Sequence, residues 1–174
     1  MKLLEDERSA IETAALDLFN YAVDREDVKI LMARLPTEGE AKRNTVEYEL
    51  QILKIIGVGW SIAYHVERPS VRNQLAERYW TAVQGLSESL SSAAGLMVGH
   101  QIDYFQILKD RLNLYVEAMG RKPNASEPAV VIGPEFARIC GNADDVYTVV
   151  TGSRMFSAVI AGVRQYLDQS GLIL

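Results

Sequence analysis

The chain has 174 residues, 48% of them hydrophobic and 24% charged, enough apolar material for one ordinary globular domain around a buried core. Its 23 acidic and 18 basic side chains give a formal charge of −5 without any Lys/Arg cluster. That balance excludes the basic footprint of a nucleic-acid binder and the cationic face of a protein lying on anionic membranes.

Cys140 is the only cysteine, so an intramolecular disulfide framework is excluded and a reducing, cytoplasmic setting is expected. The first residues, Met1-Lys2-Leu3-Leu4-Glu5-Asp6, carry charges where a signal peptide would be apolar. The longest apolar run, from Ile55 to Tyr64, is about half of what a transmembrane helix needs and reads as buried helix.

Helical signals then follow in chain order. Ser9-Ala10-Ile11-Glu12 has capping-box spacing, although it also fits inside a helix that begins nearer Leu3; Ile11, Ala15, Leu18 and Ala22 repeat at helical spacing behind it. Asp24 is placed to cap a second helix with Val28, Leu31, Met32 and Leu35 on one side, stopped by Pro36. Thr37-Glu38-Gly39-Glu40 offers another capping box, opening a long helix that runs to Pro69. On that helix Glu47, Gln51, Lys54, Ser61 and His65 fall near one line with Val58, which predicts a solvent stripe containing His65; Ile52, Ile56, Trp60 and Ala63 lie opposite.

Residues 70 to 99 form a further helix with the apolar face Leu75, Tyr79, Ala82, Val83, Leu86, Leu90, Ala93 and Met97. The next is predicted from His100 to Met119, closed by Gly120 in the C′ position. Residues 121 to 133, with Pro123, Pro128 and Gly133, read as a long loop; Asn124-Ala125-Ser126 matches a glycosylation acceptor only by coincidence in a cytosolic chain. A short helix from Pro134 to Gly141 follows, then a last helix started near Asn142, with Asp144 and Asp145 in its first turn and Met155, Phe156, Val159, Val163 and Leu167 at helical spacing. Residues 129–132 and 146–151 also have strand propensity, so a small β-hairpin pairing them is the alternative. The expected architecture is all-α: a single-domain bundle of six to seven helices over residues 1–174.

Chemical motifs are sparse. Ile62 and Met97 stand where the glutamates of Glu-x-x-His metal motifs would precede His65 and His100, and two histidines are too few for a mononuclear site, so no metal is expected. Cys140 falls at the electronegative end of a helix, which disfavours a reactive thiolate. No phosphate-binding glycine loop, nucleophile elbow or dinucleotide fingerprint occurs, and no cofactor is implied.

One residue demands an explanation. Arg111 projects between Ala118 and Tyr104, inside the apolar arc of its helix, and His100, Tyr104 and Tyr115 share that side. A buried guanidinium keeps its proton and needs oxygen partners. Either an acidic residue of another helix supplies them, Glu49 being the one that falls near the apolar side of its own helix, or Arg111, Tyr104, Tyr115 and His100 form a pocket for a small anion or carboxylate. Gly57, Gly59, Gly95, Gly99 and Gly162, with the apolar end Gly171-Leu172-Ile173-Leu174, suggest contacts with a second copy. The expected function is therefore a non-enzymatic binding or assembly protein, acting as a homo-oligomer or on a protein partner. The alternative is a sensor or enzyme for a small anionic ligand, and a weaker one a helical metalloprotein.

Overall fold

The computed structural model describes residues 2–37, 40–100 and 102–173 and is an all-α bundle. Seven helices occur among the described residues: α1 (Lys2–Val23), α2 (Glu26–Met32), α3 (Glu40–His65), α4 (Pro69–Val98), α5 (Tyr104–Arg121), α6 (Pro128–Ile139) and α7 (Val146–Gln169). α3 is the central element, touching α1, α2, α4, α5 and α7. That position explains its sequence. Every residue from Ile52 to Gly59 is buried, because neighbours cover the helix on all sides.

The predicted solvent stripe of α3 is accordingly corrected. Lys54 and Ser61 are fully buried, Gln51 and His65 half-buried, and it is Ala63 and Tyr64 that face outward. The polar groups are satisfied inside: Lys54 Nζ donates to the Asp24 carbonyl at 2.9 Å, pairs with Asp27 Oδ2 at 3.0 Å and sits 4.3 Å from the centre of the Tyr21 ring. Gln51 Nε2 donates to the Ala22 carbonyl, and Ser61 Oγ donates back to the Gly57 carbonyl. Lys54 and Gln51 thus bind the carbonyls left free where α1 ends.

Helix ends follow local chemistry, with several shifts from expectation. The Asp24 carboxylate accepts from the Glu26 N–H at 2.7 Å, and Gly99 closes α4 at φ +70°. The capping box at 37–40 lies partly outside the described residues. Asp103, not His100, begins α5: its carboxylate accepts from the Gln106 N–H at 2.9 Å. His100 therefore lies in the turn before the helix, exposed, and Gly120 is inside α5 rather than past its end. Asp145 caps α7 by accepting from the Thr148 N–H at 3.1 Å.

The long loop shrinks to residues 122–127, and the hairpin alternative is overturned, since 129–132 lie in α6 and 146–151 in α7. Two things favour helix there. Pro128 starts α6 at a position whose N–H would be unsatisfied anyway, and α6 then packs tightly on α7. A Cβ on Gly133 would lie 2.0 Å from Ser153 Oγ and 2.7 Å from the Val149 carbonyl oxygen, and one on Gly152 would lie 2.6 Å from the Phe136 ring. Tertiary contact thus overrides the β propensity of the valines. By length and composition α7 alone among the described helices would suffice to cross a membrane; here Met155, Phe156, Val159, Val163 and Leu167 form its buried face.

Of the apolar end, Gly171 to Ile173 folds back on α7, and Leu174 lies outside the described residues. Gly171 at φ +67° places its N–H on the Asp168 carbonyl and the Leu172 N–H on the Leu167 carbonyl, a Schellman arrangement that turns Leu172 into the core. Gly57 packs on Val159 and Gly59 on Trp80 within the chain.

Candidate functional site

The sequence singled out Arg111 by its position on an apolar helix face, and the structure gives it a partner. From α5 the guanidinium reaches Glu49 on α3 with two parallel bonds, Nε to Oε2 at 2.9 Å and Nη2 to Oε1 at 2.8 Å. The side chains are 27% and 4% exposed, so the carboxylate is the desolvated partner and the guanidinium keeps one edge toward water. Glu49 comes inward because α3 is covered on all sides, and Arg111 meets it because α5 lies across that helix.

Around the pair lies a buried seam between α3, α5 and α6. The Tyr115 hydroxyl is buried without a hydrogen-bond partner, and burial drives its pKa well above the ordinary phenol value. Cys140 is buried nearby; desolvation first, and the Glu49 charge second, push its thiol up to about 12. A thiol so held stays protonated at neutral pH and is no nucleophile. Glu135, buried on α6, accepts from Arg138 Nη2 at 2.5 Å and lies 3.7 Å from Arg121. The sequence reading missed Glu135, though a lone glutamate between Pro134 and Phe136, at the end of the apolar stretch from Ala129, was a visible signal.

Of the four residues proposed to line a ligand pocket, the structure brings Arg111 and Tyr115 to this seam and separates the others. Tyr104 lines a cleft of about 650 Å³ with Tyr48, Gln51, Leu90, Ala94 and Ile102, edged by the Arg25–Glu47 ion pair. Its ring meets Tyr48 edge-on at 6.3 Å, and burial raises its hydroxyl pKa to about 12. His100 lines a second cleft, of about 830 Å³, with Glu88, Gly99, Asp103 and Lys109. Ser91 and Ile102 border both clefts and form the ridge between them. His100 misses the seam because α5 starts four residues later than periodicity suggested.

No protein-family model, curated protein or solved structure shows significant similarity to this chain. Its chemistry has to be read from its own geometry. The Nε/Nη2 side of the Arg111 fork is filled by Glu49, as in a structural ion pair. Among the described residues no group of three or more His, Cys, Asp or Glu stands where it could hold a metal ion. What the surface does offer is apolar: the 650 Å³ cleft, and beside it the end of α4, where Leu90 is 44%, Leu96 91% and Met97 87% exposed.

Proposed function

We propose that this chain is a non-enzymatic assembly protein that acts in the cytoplasm by self-association through its helical surface. The observation that carries the reading is the uncovered apolar end of its longest helix, Leu90 to Met97 on α4, next to an apolar-lined cleft. Such side chains gain about 25 cal/mol for each Å² removed from water, and the described residues leave Leu96 and Met97 almost fully exposed. The buried seam supports the same reading. Its ionic groups are matched to one another, as a structural network requires, rather than held open for a ligand.

Native mass spectrometry of the purified protein over a range of concentrations tests this. An oligomer free of extra mass is the expected result. A monomer that retains a small anionic molecule, lost in Arg111→Met, would replace the assembly reading with the ligand-binding one.

A further inference from the structure

The core-facing stripe of α4 continues past the point where its cover ends. Tyr79, Val83, Leu90, Ala94 and Met97 project within an arc of about 60° on the helix. Tyr79 and Val83 are completely buried, yet Leu90 is 44% and Met97 87% exposed. Charge tells the same story. The longest run in the sequence without Asp, Glu, Lys or Arg is the 14 residues from Ser89 to Ile102, and its described residues lie at this exposed end rather than in the core. The next longest, the 12 residues from Ile55 to Val66, is mostly buried along the second half of α3. A solvated helix end ordinarily carries charged side chains, so this one has the composition of a contact surface.

We propose that the end of α4 pairs antiparallel with the same segment of a second copy, and that Met97 of each copy enters the other's 650 Å³ cleft beside Leu90, Ala94 and Ile102. This rests on the assembly reading above and names its partner and surface. A second copy fits this surface better than a strongly charged partner does. The chain carries −5, so two copies repel unless they meet where charge is absent, whereas a basic partner would seek acidic side chains that this segment lacks. An uncharged stripe is complementary to itself, and a two-fold axis between Ala93 and Ala94 sets Met97 opposite Leu90. The small residues Ala93 and Ala94 fall at the crossing, where helix axes approach to about 8 Å. One helix end and one cleft make a contact at the low end of the interface scale, so the dimer forms in the range of about 10–100 μM.

Sedimentation velocity across that range, with site-directed cross-linking, tests the pairing. The wild-type chain is expected to pass from monomer to dimer, Met97→Glu to raise the dissociation constant at least about tenfold, since it buries two charges at the contact, and Ala94→Cys to form a disulfide-linked dimer on oxidation. Tyr147→Cys, exposed at the start of α7, and the wild type with its buried Cys140 serve as cross-linking controls and are expected to stay unlinked. Circular dichroism checks that Met97→Glu, at an exposed position, is folded. A dimer that ignores Met97→Glu and is not trapped by Ala94→Cys overturns this surface while the assembly reading stands. A chain monomeric up to about 1 mM overturns both.

Discussion

Cutting the Arg111–Glu49 pair from either side should give unequal costs, because the partners are unequally buried. In Arg111→Met, Glu49 remains as a carboxylate with 4% of its side chain exposed and both oxygens stripped of donors. Breaking a buried pair this way costs about 3–5 kcal/mol, and the guanidinium's open edge, which lets water in once it is gone, brings the expectation to about 2–4 kcal/mol. In a domain of this size that lowers Tm by about 5–15 °C. In Glu49→Leu, Arg111 is 27% exposed on a long stem and can turn its charge toward solvent, so the loss should be about 1–2 kcal/mol. The double variant Glu49→Leu/Arg111→Met replaces both charges with apolar groups and should lie within about 1 kcal/mol of wild type. Urea denaturation followed by far-UV circular dichroism measures all four proteins as a double-mutant cycle. Single effects that simply add, or an Arg111→Met as stable as wild type while Glu49→Leu is not, would refute the claim that the pair is a desolvated structural contact.

Gly133→Ala should destabilise by about 3 kcal/mol or more, because its Cβ meets the Val149 backbone carbonyl at 2.7 Å; Gly120→Ala, in open space inside α5, should stabilise by about 0.5–1 kcal/mol, and thermal melts compare the two. Leu172→Ala should cost about 2–4 kcal/mol in chemical denaturation without changing the sedimentation behaviour, since Leu172 is docked in its own chain's core; a change in association with no loss of stability would contradict that docking. His65 has its pKa lowered, by burial first and by the Arg164 charge second, while its Nε2 is buried without a partner. The folded protein therefore binds this proton less readily than the unfolded chain, so stability falls as pH drops below about 6.5 toward the lowered folded value. His65→Gln should flatten that part of the stability–pH curve, and an unchanged slope would show that His65 does not contribute to it.

How much of this was legible in the sequence varies with the range of the interaction. The apolar periodicities of α1, α4 and α7 and the glycine after α6 are local signals, and they placed α1, α4 and the end of α6 within a few residues, while the start of α6 was missed by six residues. The pairing of Arg111 with Glu49 was also readable, because each residue is a charge on the apolar side of its own helix and such charges need each other. The polar line on α3 misled, because a helix covered on all sides buries even its Lys and Gln once α1 and α2 supply carbonyls and a carboxylate. His100 was misplaced for a different reason. The periodic pattern continues through it, but Asp103 caps the helix three residues later.

Composition and local pattern alone determined an all-helical chain with a charged outer surface and one anomalous arginine. Only the tertiary structure decided which faces are covered. It filled the arginine's fork, drew the valines of α6 and α7 into helices by interlocking Gly133 and Gly152, and docked Leu172. It also left Leu90, Leu96 and Met97 outside the cover of the bundle. The physical reason is that apolar spacing specifies a face, whereas burial depends on whether another element reaches that face, and sequence spacing carries no record of where the neighbours end.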